Sequence, residues 1–518
     1  MRATSIGHAG ILIETEAGSI LCDPWFVPAF FGSWFVFPRN DQLSDDLLER
    51  IEHADYLYIT HLHADHHDEP WLREHLRRDI PILLPGYPTK EQQRTLAKLG
   101  FTNFIRTEDQ VEMELAPGLT IAIHTEVSIT DGPGGDSAMV VSDGETRIVN
   151  QNDCRTTDLA ALGSHGPVDL HWLQYSGAIW YPMVYEYPDD VMRTLVDNKV
   201  ESQFTRAMRY VDTLRPRAVV PSAGPPAFLD DDLWHLNVIE GDELSIFPDQ
   251  RSFMSRLAGH GHRGILAIPG TEIEVTPDDI TITHPIPDAD VERIFAEKED
   301  YLRRYQADWK PWLDDLKAGW NPPSTDLIAT LKAWWEPLLR MAPTLRGAVG
   351  ANCLIRTGDL EILIDFPNGE VRPYDDEDYE FRFTIPRALV ETVAAQKAVD
   401  WSNSLLLSAR FSAWRAGDFN EYLYNFFKSL SVERMRRTEA EAIRKLNPPT
   451  ETEPEIELGD YVVQRRCPHR NADLSVFGEI EAGADGDVLV CTLHGWKFDC
   501  ETGRCLTSTD HPLRIRPR

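Results

Sequence analysis

Two pairs of potential metal ligands lie near the end of the chain, and each pair combines one thiol with one imidazole. Cys467 and His469 are separated by one proline, and Cys491 and His494 by two residues. Two thiolates on one iron and two imidazoles on the other hold a [2Fe–2S] cluster whose reduction potential exceeds that of an all-Cys cluster. The competing interpretation is a Cys₂His₂ zinc site, but zinc fingers place like ligands together. The mixed pairs therefore predict an electron-carrying cluster.

The residues around the second pair resemble the Rieske domains of oxygenases. The similarity lies in the sequences HGWKFD at 494–499 and TGRCL at 502–506. It implies an all-β Rieske domain, which we expect over 455–518, with the cluster held by the four ligands named above. The preceding segment 447–454 has three prolines and no apolar residue, so it should be an extended and exposed linker.

A second group of potential ligands follows the strand-like run 56–60. The next residues read HLHADHH, and packing histidines are normally solitary, so that packing explains this cluster poorly. His61 and His63 project together from a tight loop and can share one metal ion. Asp65 and His66 can face a second ion a few ångström away. These residues predict a two-metal site at the end of a strand, where they would act directly in catalysis.

The H-x-H-x-D-H spacing resembles the metal-binding motif of the metallo-β-lactamase fold, and further landmarks occur in the expected order. Asp23 matches an aspartate that ends an early strand and braces the site. His124 and Glu126 follow a strand at the position of the third metal-binding motif, where most members have His and some diiron oxygenases have Glu. Asp153 matches the aspartate that bridges both metals. The resemblance implies that these residues complete the metal site.

The fifth motif of that family is missing at its usual place. The last core strand leads into the sequence SAGP at 222–225 instead of ending on a ligand histidine. The candidate substitutes in the next loop are Asp230 to Asp232 or His235. The resemblance implies a metallo-β-lactamase-like αββα sandwich over residues 1–290. Helical periodicity then predicts a mostly helical middle region over 291–446. The chain is thus expected to be a multidomain α/β protein.

Composition excludes several classes of function. At 518 residues the chain is too long for one core, and its net charge of -33, from 51 Lys+Arg against 84 Asp+Glu, repels nucleic acid and anionic lipid. No apolar run approaches the ~20 residues that a membrane span needs. Seven cysteines are too few for a disulfide scaffold. We expect a cytoplasmic protein with no nucleic-acid or membrane partner.

A one-electron carrier fused to a two-metal site makes chemical sense when that site is redox-active, because a zinc hydrolase needs no electrons. The usual Rieske oxygenases pair the cluster with a mononuclear iron held by two His and one carboxylate. We found no D/E-x-x-H-x-x-x-x-H spacing of that kind in the sequence. A pair of non-haem irons is therefore the better interpretation.

The pairing of the two domains resembles the CMP-N-acetylneuraminate hydroxylases and their bacterial relatives. The shared segments include NQNDC at 150–154, PSAG at 221–224 and IFPD at 246–249. The resemblance implies a diiron monooxygenase that uses a small-molecule substrate, O₂ and electrons from an external ferredoxin or flavin reductase. It does not imply sialic acid, because the Rieske segment comes last here and first in the vertebrate enzymes.

Two alternatives stay open at the level of sequence. One is a zinc-dependent hydrolase of the metallo-β-lactamase fold with a redox-sensing Rieske domain, since His and Asp bind either metal. The other is an electron carrier whose N-terminal domain has become a scaffold, although the intact ligand set at 61–66 argues against it. The sequence also leaves open whether electrons pass within one chain or between chains of a homo-oligomer.

Overall fold

The computed structural model describes residues 1–127, 135–156, 158–177, 179–241, 243–446, 454–469, 472–483, 486–493, 495–507 and 511–518. The chain divides into two compact units. The first consists of Met1–Ile179 and Arg193–Leu313, and the second of Trp180–Met192 and Asp314–Arg518. Of the predicted linker 447–454, only its last residue lies within the described part, and His494 lies outside it.

The first unit is built on two sheets. Its strands are β1 (Arg2–Gly7), β2 (Gly10–Thr15), β3 (Gly18–Cys22), β4 (Tyr56–Tyr58), β5 (Ile82–Leu84), β6 (Phe104–Arg106), β7 (Glu112–Ala116), β8 (Leu119–Glu126), β9 (Asp136–Ser142), β10 (Arg147–Asn152), β11 (Leu170–Gln174), β12 (Ala218–Ser222), β13 (Glu272–Val275) and β14 (Ile280–Thr283). One sheet has the order β14-β13-β1-β2-β3-β4-β5-β6, and the other has the order β12-β11-β10-β9-β8-β7. Strands β3 to β6 are parallel, as are β10 to β12.

Helices flank these sheets. Those along this part of the chain are α1 (Asp45–Glu52), α2 (Glu69–His75), α3 (Glu91–Lys98), α4 (Leu159–Gly163), α5 (Asp189–Leu214), α6 (Gln250–Gly259), α7 (Asp288–Ala296) and α8 (Lys298–Ala318). Ile11 and Ile13 of β2 face the core between the sheets, whereas Leu12 faces the core formed with α1, α2 and α3. On the second sheet, α6 packs against β12. These layers confirm the predicted metallo-β-lactamase-like αββα sandwich.

Strand ends at one edge of the sandwich position the candidate site. The carboxyl ends of parallel strands meet at the same edge, and β3, β4 and β10 end at Cys22, Tyr58 and Asn152. Asp23 and Asn152 turn the chain there with φ of +43° and +54°, and the register of β10 against β11 shifts between Asn150 and Asn152. Left-handed residues and bulges of this kind cluster at functional sites because they re-aim side chains.

The second unit contains a five-stranded sheet, two three-stranded sheets and helices. Its elements are α9 (Leu327–Met341), α10 (Pro343–Val349), β15 (Cys353–Arg356), β16 (Glu361–Asp365), β17 (Glu370–Pro373), β18 (Phe381–Thr384), α11 (Arg387–Ala395), β19 (Ser412–Arg415), α12 (Glu421–Lys428), α13 (Val432–Leu446), β20 (Glu455–Leu458), β21 (Tyr461–Gln464), α14 (Leu474–Phe477), β22 (Gly478–Gly483), β23 (Gly486–Cys491), β24 (Trp496–Asp499) and β25 (Ile515–Pro517). The middle region, which was predicted to be mostly helical, thus contains a five-stranded sheet among its helices because β15 to β19 pair with one another. The small antiparallel sheets at the C-terminus are confirmed. Among the described residues, no helix has the length and apolarity that a membrane crossing requires.

Candidate metal centre and cluster domain

A tight turn after β4 gathers three histidines. The backbone N–H groups of His66 and His67 both donate to the carbonyl oxygen of His63, at 3.0 and 2.8 Å. His61 Nε2 then lies 2.8 Å from His63 Nδ1, and the His61 and His66 rings are 4.1 Å apart between centroids. Because the ligands lie within one turn, the local backbone alone determines their approach.

Two carboxylates approach the same imidazole. His66 Nε2 lies 3.4 Å from Asp153 Oδ1 and 3.6 Å from Asp65 Oδ2. Two sets of three donor atoms, each set within 4.8 Å, result: His61, His66 and Asp153 in one, and His8, Asp65 and His66 in the other. The sets share His66, so five residues that could hold a metal ion lie together around one imidazole.

Several buried polar atoms at this site lack a hydrogen-bond partner among the described residues. They are His63 Nε2, Asp65 Oδ1, His66 Nε2, His67 Nε2 and Asp153 Oδ1. A buried polar group without a partner costs about 1–3 kcal/mol, so a cluster of them is a costly arrangement unless something else satisfies it. Imidazole nitrogens and carboxylate oxygens are donors that bind both iron and zinc. The residues present therefore fit a pair of metal ions.

Protonation at the site follows from burial and from neighbouring charge. Burial lowers the pKa of His63 to about 3, and the adjacent His61 charge adds to that effect. Burial opposes ionisation of Asp153, but the His66 charge outweighs it and lowers the pKa of Asp153. His63 is thus neutral and Asp153 ionised near neutral pH, which are the states that metal ligands require.

Asp23 supports the ligands from behind. It is fully buried, accepts hydrogen bonds from the backbone N–H and the hydroxyl of Thr60, at 2.8 and 2.7 Å, and accepts another from Asn152 Nδ2 at 2.8 Å. Its Oδ2 lies 3.0 Å from His66 Nδ1. A carboxylate bonded to one ring nitrogen fixes the ring and leaves the other nitrogen for a metal. Asp23 therefore directs His66 Nε2 toward the two carboxylates.

His8 is a candidate ligand that the sequence did not reveal. It lies in the β1–β2 turn with φ of +51°, and its Nε2 is 3.0 Å from Asp65 Oδ2. Its ring packs edge-on against Trp25 and His66, with centroid distances of 4.9 and 5.7 Å. A single histidine far from the main motif carries no local signal, because only the pairing of β2 with β3 and of β3 with β4 brings the turn close.

The structure does not bring His124 or His235 into this site. Ile123 of β8 faces the core, so alternation turns His124 to the opposite face, where its Nε2 lies 2.9 Å from His165 Nε2. His235 is exposed on the 3₁₀ helix Asp231–Leu236. Neither belongs to a group of donor atoms that could hold a metal within the described ranges.

The cross-strand neighbour of Glu126 lies at the site. Glu126 is paired with Asp136 across β8 and β9, and Asp136 Oδ1 is 3.4 Å from His61 Nδ1. Asp136 had no sequence signal, because it follows a glycine-rich run that resembles an ordinary turn. Asp136 at the start of β9 therefore lies beside the ligand turn, whereas His124 of β8 contacts His165.

The C-terminal ligands lie on two loops of the small sheets. The Cys467 and Cys491 side chains are buried, and each loop is closed by a backbone bond, from Cys467 N to Ala472 O and from Gly495 N to Cys491 O, both 2.8 Å. The His469 ring stacks on Trp496 at 3.9 Å with an interplanar angle of 11°. Described residues thus supply both thiols and one imidazole of the predicted cluster.

A buried ion pair joins these loops to α12. His511 packs edge-on against Trp496 at 4.7 Å, and its Nε2 lies 2.9 Å from Glu421 Oε1. Lys445 Nζ lies 3.1 Å from the other oxygen of Glu421. Burial raises the pKa of Glu421, but the bonds to His511 and Lys445 outweigh that effect and lower the pKa to about 2. The carboxylate is therefore ionised and bound on both sides.

Replacing this carboxylate should weaken the second unit. A pKa lowered from 4.5 to about 2 corresponds to about 3 kcal/mol of stability, which is present above pH 4.5 and is lost as the pH falls toward 2. Glu421→Gln should therefore lower the free energy of unfolding at pH 7 by about that amount in urea titrations. The control is Glu441→Gln, which removes a half-buried partner of Lys445 without touching His511. Equal effects of the two substitutions would contradict the assignment.

Family models match two parts of the second unit. The Rieske [2Fe-2S] domain matches residues 456–514, which confirms the predicted Rieske domain, and the Rv3818-like, SCP2-like domain matches residues 327–444. Over 532 aligned residues the chain is 43% identical to a protein of Mycolicibacterium smegmatis named as a Rieske 2Fe-2S iron–sulfur protein, with 100% of both chains covered. The relationship thus extends through the whole molecule.

More distant similarities point to hydroxylases. The chain is 28% identical over 233 residues to the cytidine monophosphate-N-acetylneuraminic acid hydroxylase of Danio rerio, covering 43% of this chain and 37% of that enzyme. Among solved structures, CmlA, a diiron β-hydroxylase from Streptomyces venezuelae, aligns over 53% of this chain and 54% of its own, with 15% identity and a TM-score of 0.34. That structural likeness is too low to support a conclusion about function.

Proposed function

We propose that this chain, which belongs to the family of Rieske 2Fe-2S iron–sulfur proteins, is a Rieske-dependent diiron monooxygenase. It would use O₂ and externally supplied electrons to hydroxylate or N-oxygenate a small molecule. The observation that carries this proposal is the pair of donor sets that share His66, in a chain that also contains a Rieske domain. An electron carrier in the same chain can serve catalysis at such a site only if the metal there changes oxidation state.

The residues divide between two redox groups. Cys467, His469, Cys491 and His494 would hold the [2Fe–2S] cluster. The non-haem irons would be held by His8, His61, His63, Asp65, His66 and Asp153. Two irons there would supply the reduction of O₂ that places one oxygen atom in a C–H or N–H bond and releases the other as water, consuming two external electrons.

The protein's own residues prepare this chemistry. Asp23 fixes the ring of His66. His66 belongs to both donor sets, and its ring therefore keeps one orientation. The burial of His61 and His66 excludes water from the ligand turn, and a water-poor site strengthens electrostatic interactions. The ionised carboxylates of Asp65 and Asp153 offset the positive charge of the cations.

The similarity to hydroxylases supports the reaction class and not the substrate. The relative named as a cytidine monophosphate-N-acetylneuraminic acid hydroxylase is matched over only 37% of its length. The electrons would come from a separate ferredoxin or flavin reductase, because no Gly-rich dinucleotide fingerprint follows a strand in this sequence. A zinc-dependent hydrolase with a redox-sensing Rieske domain is the alternative, since the same donors bind zinc.

Metal content and oxygen reactivity separate these functions. Protein purified without oxygen should contain about four irons and about two acid-labile sulfides per chain, two of the irons belonging to the cluster. After reduction, O₂ should reoxidise the non-cluster irons as well as the cluster, which Mössbauer spectroscopy can follow separately. About two irons and about two zincs per chain would instead support the hydrolase and overturn the oxygenase.

A further inference from the structure

A cluster of cations lies on one face of α5. Lys199, Gln203 and Arg206 are spaced four and three residues apart, which places them on the same side of a helix. Arg206 is only 4% exposed and Gln203 only 2%, whereas Lys199 is half-buried. Arginine and glutamine are rarely buried this deeply unless they are paired. The burial of these polar side chains therefore requires an explanation other than contact with solvent.

The buried polar atoms of this face have no protein partner. Arg206 Nη2 and both polar side-chain atoms of Gln203 make no hydrogen bond within the part of the chain that the structure describes. Gly177 leaves room for Gln203, since a Cβ at Gly177 would lie 2.0 Å from Gln203 Nε2. The buried N–H groups of Gln203 Nε2 and Arg206 Nη2 thus have no acceptor among the described residues.

The charges of this cluster also oppose one another. Burial lowers the pKa of Lys199 to about 7, and the charges of Arg155 and Arg206 contribute. Burial and Arg155 likewise lower the pKa of Arg206 to about 9. Like charges gathered in a buried place destabilise a fold, so their persistence is typical of a site that binds the opposite charge.

The cluster neighbours the candidate metal centre. Arg155 follows Asp153 by two residues, and the Asp153 carboxylate is close enough to raise the pKa of Arg206. A ligand held by the cationic face would therefore present the rest of its structure near the donor sets. Guanidinium groups bind carboxylate and phosphate oxygens through parallel hydrogen bonds, and an amide N–H adds a neutral donor.

We propose that Arg155, Lys199, Gln203 and Arg206 form the binding site for an anionic oxygen group, a carboxylate or a phosphate, of the substrate. The identification as a substrate site rests on the proposed oxygenase function, whereas the anion site itself does not. Neutral molecules would bind poorly, because they would offer no acceptor of opposite charge to the buried guanidinium of Arg206. The substrate class is thus narrowed to small organic acids and phosphate esters.

Binding of simple anions tests the site without electrons or O₂. Inorganic phosphate and acetate, titrated separately into the oxidised full-length protein by calorimetry, should each bind, and the stronger of the two identifies the oxyanion preferred. Arg206→Met should weaken anion binding at least about tenfold, because it removes one charge-assisted hydrogen-bonded pair. Arg193→Gln, an exposed arginine near the start of the same helix, is the matched control and should bind anions as the wild type does.

Two further variants keep the result unambiguous. His61→Ala should retain anion binding. If His61→Ala lost anion binding and Arg206→Met retained it, the anion would merely ligate the metal, and the proposal would be overturned. Arg206→Met should also raise the thermal midpoint in anion-free buffer, because it removes an unpaired buried charge. A merely structural arginine would give a lower midpoint. If Arg206→Met does not fold, Lys199→Gln decides, and absence of anion binding by the wild type overturns the site.

Discussion

His61→Ala should remove the non-cluster metal from the protein and leave the visible absorption of the Rieske cluster intact. His61 is buried, its Nε2 lies 2.8 Å from His63 Nδ1, and its ring contacts that of His66. An alanine there deletes one donor and frees the neighbouring ring. Because loss of even an outer-shell partner costs about 10–100-fold in metal affinity, loss of a ligand should empty the site during desalting. Metal analysis and absorption spectroscopy on the same sample measure both quantities.

The reciprocal substitution should have the opposite outcome. His469→Ala deletes an imidazole of the proposed cluster, so the cluster absorption should disappear while the non-cluster metal remains. Turnover driven by an electron donor should be abolished in both variants. The matched control for His61→Ala is His124→Ala. His124 is a buried histidine of the first unit, as His61 is, but it faces His165 and not the ligand turn. If His124→Ala lost metal as His61→Ala does, the placement of His124 outside the metal site would be wrong.

Residues whose partners lie a few positions away could be predicted from the sequence. The turn at 61–67 and the two loops that carry Cys467 and Cys491 bring their side chains together through local backbone geometry. A spacing of one to three residues is then enough to predict a shared site. The layers of the sandwich were predicted from the resemblance to the metallo-β-lactamase fold. The structure agrees with that prediction, because Ile11 and Leu12 of β2 belong to the cores on opposite faces of the sheet.

Residues that join the site through sheet order could not be predicted in this way. His8 lies in the β1–β2 turn and Asp136 begins β9, and each approaches the ligand turn because of the order in which the strands pair. His124 shows the converse: its position in the chain matched a family motif, but the alternation that buries Ile121 and Ile123 turns it away. The alternation of apolar residues along β8 was visible in the sequence. It would have favoured a metal ligand at the end of a neighbouring strand over His124.

The second unit shows a different limit of prediction from the sequence. Trp180–Met192 belongs to it although the chain on either side lies in the first unit. The reason is a long-range pairing, since Tyr185 bridges to Ala413 of β19 and its hydroxyl approaches that of Tyr424. Pairing between positions so far apart has no local signature. Within the second unit, Trp401 packs against Trp335 and Phe427.

Asp23→Asn should both destabilise the first unit and weaken metal binding. The carboxylate accepts hydrogen bonds from Thr60 and Asn152 and lies 3.0 Å from His66 Nδ1, all in a fully buried position. The amide replaces one acceptor with a donor that would face other donors, and it removes the charge that helps to raise the pKa of His66. Breaking a buried charged network costs about 3–5 kcal/mol, and loss of an outer-shell carboxylate costs about 10–100-fold in metal affinity.

Asp68→Asn separates the two effects of the Asp23 substitution. Asp68 is also buried, follows the ligand turn directly, and accepts hydrogen bonds from the backbone N–H groups of Phe26, Val27 and Trp71. Its replacement should lower the free energy of unfolding in urea without changing metal affinity, because Asp68 does not contact His66 or Thr60 through any described hydrogen bond. A drop in metal affinity of equal size in both variants would show that the metal responds to loosening of the fold. A drop confined to Asp23→Asn would show that this carboxylate acts on the metal through the ring of His66.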